Sequence, residues 1–281
     1  MVTRNQKYQC FFVLVFFVFL CTTGISAQEK IKVHASGTSI SRDITIKEAL
    51  KEAIIDAQTN AYKKAGITEH VSVATILFEE SSGDEVKKYF SDISTIESNA
   101  SIIVDSIYPE KRSFDESGNM VISVKIDATV FKYNKKKDPA FFFNIEGLKD
   151  TYYENEFISF SFTPSQDGYL KIFVIDNMEA IMLYPFKSPI AEYLSDEKYR
   201  LFRKGETVNF PIDPAYKPGY SIELDADKET EINNLFFVYI KKDIPWIESN
   251  VSIRKILLWI YNIPIDQRSI KFQSVTIRNI K

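Results

Sequence analysis

The chain has few of the side chains that carry covalent or metal chemistry. Of its 281 residues, two are cysteine and two are histidine. Both cysteines, Cys10 and Cys21, bound an apolar block at the N-terminus. A chain cleaved after that block would have no disulfide, no thiolate nucleophile and no cysteine metal site. Any Ser-His-Asp arrangement must use His34 or His70, and the G-x-S-x-G elbow that presents a nucleophilic serine is missing. Glycine is scarce at nine residues, and neither a P-loop nor a dinucleotide fingerprint occurs. No internal repeat or low-complexity tract is present, and there is no excess of positive charge.

The first 27 residues read as an export leader. Arg4 and Lys7 supply a positive start, and an apolar stretch rich in phenylalanine follows. Ile25-Ser26-Ala27 then places a small residue where a signal peptidase cuts. The apolar block, Cys10 to Cys21, is shorter than the roughly 20 residues a membrane-spanning helix needs. An uncleaved anchor is the alternative. Lipidation at Cys21 is a second one, opposed by Leu20, which is bulky where lipoprotein signals carry a small residue. Removing Arg4 and Lys7 leaves 33 basic residues against 38 acidic, a charge of −5. That balance gives no footing for nucleic acid or for an anionic membrane surface.

From Gln28 the pattern predicts an α+β fold. Ile31 to Ala35 is short and extended. A helix follows over 45–65, opened by a capping box of Thr45 and Glu48. Its stripe of Ala49, Ala53, Ala57, Ala61 and Ala65 would let it lie close on a sheet, and Gly66 stops it. Val71–Phe78, Ser101–Tyr108 and Met120–Phe131 read as strands, the last preceded by a Ser117-Gly118-Asn119 turn. "YNKKKD", residues 133–138, marks a boundary. The domains expected are 28–134, a linker at 135–138, and 139–281.

Beyond the boundary the expectation is an antiparallel β-sandwich with a C-terminal helix and tail. Ile158, Phe160 and Phe162 share one strand face. Asp167-Gly168 offers turn chemistry. Leu170, Ile172 and Val174 then make an apolar face, and Tyr169, Phe173 and Ile175 make the other face largely apolar as well. Such a strand belongs in the middle of a sheet, with Lys171 expected to reach solvent at its end. Further strands are expected at 207–212, 220–224 and 235–240. Ile253, Ile256, Leu257, Ile260 and Tyr261 form a helical stripe ended by Pro264. That stripe favours packing onto its own domain over binding a partner.

"YYENEFISFSFTPSQDGYLKIFVIDNMEAIMLYPF", residues 152–186, resembles the core of a bacterial family, domain of unknown function 4384. The shared positions are Asp167, Gly168, Tyr169, Leu170, Ile172, Phe173, Ile175, Asp176, Leu183, Tyr184 and Pro185. "GETVNFP" at 205–211 fits the family's later segment, so the resemblance covers about residues 140–245. "ASGTSISRDITIKEALKEAIIDAQTNAYKKAG", residues 35–66, bears a weaker similarity to the N-terminal domain of flagellar assembly protein T and related surface lipoproteins. The resemblance implies export, an envelope setting, and attachment or assembly. It brings no catalytic residue, cofactor or metal ligand.

The remaining constellations are weak. His34 lies in a strand and His70 in a loop, each more simply structural than catalytic. Asp225, Asp227 and Glu229 could hold calcium through oxygen, but the glycine of an EF-hand loop is absent, which favours a solvated acidic turn. Trp246 and Trp259 offer a glycan platform or, more simply, packing for the helix. The expectation is an exported protein of the periplasm or cell surface, without enzymatic activity, cofactor or metal, and without a membrane span once the leader is removed. Its partners would be other envelope proteins, or a glycan. A secreted hydrolase working through carboxylates is the alternative.

Overall fold

The structure is a computed structural model that describes residues 29–42, 44–67, 100–176, 179–185, 200–212, 219–221, 224, 228–246 and 250–279. The leader, His70, the strand expected at 71–78, Asp225 and Asp227 lie outside the described residues. The fold is α+β, with its strands in mainly antiparallel sheets.

In the first half, β1 (Glu29–Ser41) pairs antiparallel with β4 (Met120–Lys132) along its whole length. β2 (Ala100–Ile107) and β3 (Lys111–Phe114) both pair with the other edge of β4. The turn before β4 is built as the sequence suggests. Asp115 Oδ1 accepts the Ser117 and Asn119 amides at 2.9 and 2.8 Å, and Gly118 takes φ 79°.

Helix α1 (Ile46–Lys64) crosses the inner face of this sheet. Thr45 and Glu48 close the capping box, and Gly66 leaves the helix at φ 76°. Ala49, Ala53, Ala57 and Ala61 are fully buried. The alanine stripe meets Gly37 of β1 so closely that a methyl group on Gly37 would overlap the Ala53 carbonyl oxygen and the Ala57 nitrogen. Small side chains on both surfaces bring helix and sheet into backbone contact.

The second half comprises β5 (Phe143–Glu146), β6 (Thr151–Tyr153), β7 (Phe157–Ile158), β8 (Phe160–Pro164), β9 (Tyr169–Asp176) and β10 (Glu179–Tyr184). Then come β11 (Val208–Phe210), β12 (Tyr220–Ser221), β13 (Thr230–Ile240), β14 (Asn250–Ser252), helix α2 (Ile253–Tyr261) and β15 (Arg268–Arg278). Six strands form one sheet in the order β14-β10-β9-β13-β15-β6; β11-β8-β5 form a second sheet and β12-β7 a small third. The β15–β6 pairing is parallel, unlike the others. The expected C-terminal tail is therefore a long strand, β15, paired along β13.

Alternation along β9 and β13 gives the six-stranded sheet two apolar faces. Leu170, Ile172, Leu235, Phe237 and Tyr239 meet Phe143, Phe160 and Phe162 of the three-stranded sheet. Phe173, Ile175, Phe236, Val238 and Ile240 meet Ile256, Leu257 and Ile260 of α2. The amphipathic helix thus packs back on its own sheet.

Two sequence expectations are corrected here. Lys171 is buried at 2 % exposure rather than reaching solvent. It shares the α2-facing side of β9 with Tyr169 and Phe173, opposite Val238, in a strand flanked by β10 and β13. With both faces covered, a mid-strand side chain has no short path to water. Gly168 is needed for close approach more than for turning. It bridges Phe202, and a Cβ there would sit 2.7 Å from the Ile240 oxygen and the Tyr239 ring.

The junction between the halves is packed. Tyr133 is buried, and it joins Ile103 and Phe131 in the cluster under α2. Arg268 donates to the Tyr133 hydroxyl at 2.8 Å and to the Ile260 carbonyl, and its guanidinium lies 5.1 Å from the Tyr133 ring centre. Arg254 of α2 reaches the Val104 carbonyl at 2.7 Å and Asp105 at 2.5 Å. Within the segment read as a linker, Lys135 pairs with Asp266 at 2.9 Å and Asp138 with Lys241 at 2.5 Å.

Candidate functional site

Positions 34, 36 and 38 of β1 face away from α1 because residues 33, 35, 37 and 39 face it. His34 stands directly across from Asp127 of β4. Its Nδ1 is hydrogen-bonded to Asp127 Oδ1, and the Tyr108 hydroxyl donates to Oδ2 at 2.7 Å. The bond from Tyr108 holds the Asp127 carboxyl below its usual range, helped by His34, and the same carboxylate pushes the Tyr108 hydroxyl up. A carboxylate that orients an imidazole is two-thirds of a nucleophilic triad.

The setting, however, is an open sheet face where the His34 side chain is 86 % exposed. Among the described residues no hydroxyl is hydrogen-bonded to its ring. The sequence found His34 but not its partners, which lie 93 and 74 positions away and become neighbours only through strand register.

Other sequence candidates take structural places. Trp246 and Trp259 meet edge-to-face with ring centres 5.3 Å apart, and both pack on Phe173. They cover the core beside α2 and are not set out as a platform. Glu229 sits exposed before β13, with its carbonyl accepting from Asn279 at 3.1 Å. Among the described residues no three His, Asp or Glu side chains converge as metal ligands.

The feature with the shape of a binding site is a groove of about 540 Å³ along β15. One wall is Ser269 to Gln273 of that strand; the other is the chain from Lys137 to Phe142 together with Ile145 to Leu148. It lies on the side where β15 and β5 both come to the rims of their sheets. Two hydrogen bonds fix which way β15 presents its backbone. Lys241 donates to the Gln267 carbonyl at 2.9 Å, and Asn279 donates to the Glu229 carbonyl at 3.1 Å. In an antiparallel ladder the bonded residues alternate, so odd-numbered residues of β15 bond to β13 and even-numbered ones turn outward. At the far end that outward side is taken by β6 and its flanks, through Thr276 N–H to the Asp150 carbonyl and Glu154 N–H to the Arg278 carbonyl, both at 2.9 Å. β6 covers positions 276–278 and stops there. Among the described residues no strand pairs with the outward edge at 269–275.

Lys271 occupies the middle of this wall. Its ammonium lies 5.2 Å from the Phe143 ring centre, and burial lowers its pKa below the ordinary lysine value. Phe142 stands 47 % exposed at the groove. Asp138 is the one carboxylate among the lining residues, and Lys241 engages it at 2.5 Å. Sequence reasoning missed the groove because it read 268–281 as a tail. The apolar and β-branched alternation of "SIKFQSVTI" was the signal present.

No family model, no curated protein and no solved structure matches the chain.

Proposed function

We propose that this is an exported, non-catalytic binding or assembly protein of the bacterial cell envelope. An α+β unit is followed by an antiparallel β-sandwich carrying a C-terminal helix. The observation that carries the reading is the groove along β15, a concave surface whose wall is an open sheet edge. Such an edge is a ready template for another chain. Export is supported by the leader pattern of Arg4, Lys7, the apolar block and Ala27. The envelope setting is supported by the resemblance of residues 140–245 to the family of unknown function and of residues 35–66 to envelope domains. No helix among the described residues is long and apolar enough to cross a membrane.

The test is capture from native envelope extract with the tagged protein, read by mass spectrometry, beside a broad hydrolase screen and calorimetric titration with envelope glycans. Reproducible enrichment of envelope proteins, with no turnover, is the expected result. Hydrolysis that disappears in His34→Ala would overturn it, and would assign the Asp127–His34 pair to catalysis. Saturable glycan binding without protein enrichment would make the protein a glycan-binding module.

A further inference from the structure

We propose that the groove takes an extended acidic peptide segment of a partner protein, added as a strand to the outward edge of β15 between Ser269 and Val275. This deepens the binding reading above and rests on it.

Main-chain geometry supplies the first argument. Ile270 and Ser274 direct N–H groups away from β13, and among the described residues neither amide has an acceptor. Four residues of strand separate them, about 13 Å, which an incoming segment of five or six residues would span. β6 already pairs with this edge at 276–278, so the added strand would lie end to end with β6 and extend the ladder that β6 begins.

Charge supplies the second argument. Side chains of an added strand alternate across the sheet. One set faces the three-stranded sheet, as Lys271 does from its place opposite Phe237. Lys271 and Lys137 both line the groove, and among the described residues neither has a carboxylate partner. Asp138 is held by Lys241. The groove therefore carries two uncompensated cations and one neutralised anion. A glutamate or aspartate on the inward set would meet Lys271 in a half-buried place, where an ion pair is screened less than at the surface. Ile145, Leu148 and the exposed Phe142 give the neighbouring inward positions apolar contact. The ligand is thus an extended segment with a central carboxylate and apolar or β-branched neighbours. A basic segment is repelled.

The probe is a fluorescein-labelled heptapeptide of alternating valine and threonine with a central glutamate, against the same peptide with a central lysine or glutamine. Binding to the full-length protein is followed by anisotropy, and amide shifts of Ile270 and Ser274 by NMR. The glutamate peptide is expected to saturate, to move both amides, and to bind at least tenfold more tightly than the lysine peptide.

Ile270→Pro removes one outward N–H and no bond to β13, and proline is tolerated on an outward strand edge. It should weaken the glutamate peptide at least tenfold. Lys271→Gln should erase the preference of glutamate over glutamine while leaving the glutamine peptide unchanged, and this arm keeps the test decisive if Ile270→Pro melts early. No saturable binding, equal affinity for glutamate and lysine peptides, or Lys271→Gln without effect on the preference would overturn the proposal. Envelope capture by the same preparation separates the two failures. Partners captured while every peptide fails would sink the groove alone, and no partner captured by a folded protein would sink the binding reading.

Discussion

Replacing Gly37 by alanine adds one methyl group, and the structure assigns it a large cost. The new carbon would lie 2.8 Å from Ala57 Cα and closer still to the Ala53 oxygen and the Ala57 nitrogen. Carbon atoms rest about 3.5–4.0 Å apart, so helix and strand would have to part by roughly 1 Å. No side chain can swing aside, because all three obstructing atoms are backbone. Overpacking typically costs 1–3 kcal/mol, and this site belongs at or above the top of that range. At about 2–4 °C per kcal/mol for a chain of this size, Gly37→Ala should lower the melting temperature by roughly 6–12 °C.

The assay is thermal melting with urea titration, with Gly118→Ala as the comparison. Gly118 has φ 79° and open space around its Cα, so its alanine pays only the left-handed backbone penalty, roughly 1–2 kcal/mol. Adding Ala57→Gly to Gly37→Ala should restore nothing, since the atoms in the way survive that change. A Gly37→Ala protein that melts with the wild type, or one rescued by Ala57→Gly, would refute backbone contact between α1 and β1.

Three further outcomes follow from the same coordinates. Ile172→Asp and Lys171→Asp should both unfold the second half early, since each puts a carboxylate in a site of 2 % exposure or less, at a cost of several kcal/mol; wild-type melting of Lys171→Asp would show that this lysine reaches water after all. The carboxyls of Asp138, Asp167 and Glu206 are held below their usual range, first by the Lys241 side chain, the Lys204 amide and the Arg203 amide respectively. A depressed pKa contributes stability above the unfolded value that is lost as pH falls, so melts should decline below about pH 4, and Asp138→Asn should make that decline shallower; an unchanged acid limb in the variant would remove Asp138 from the account. N-terminal sequencing of exported protein should begin at Gln28, whereas a lipid-bearing start at Cys21 would show that Leu20 does not block lipidation.

Local signals in the sequence were readable where one short segment settles its own structure. The Thr45–Glu48 box, the alanine stripe, Gly118 and the α2 stripe each act within a turn or two, and each stands where its chemistry places it. Pairing across the sheet was not readable. His34 and Asp127 meet because thirteen residues of β1 run in register along β4, and nothing near either residue announces the other. Lys171 was misjudged for a related reason. A lysine amid apolar residues looks like one that snorkels outward, and only the positions of β10, β13 and α2 close its route. β15 escaped notice because Pro264 ends a helix so plainly that the residues after it looked like a remainder.

The lysine run that marks a change of composition is no gap in the packing, and this bears on the groove. A buried guanidinium is costly unless its donors are engaged. Arg268, the first residue of β15, is 7 % exposed. Its donors reach the Ile260 carbonyl at the end of α2 and the Tyr133 hydroxyl from the first half, while Tyr133 also donates to Ser101 of β2 at 2.8 Å. One residue therefore ties the start of β15 to the helix over the six-stranded sheet and to the sheet that carries α1. Lys241, next to β13, binds Asp138 on the opposite wall of the groove and donates its amide to Gln267 just before β15. Both walls are thus fixed at the same end by residues of the supposed linker. An edge strand held this way keeps its outward amides in register before any partner arrives, and so spares a bound segment part of the ordering cost of association.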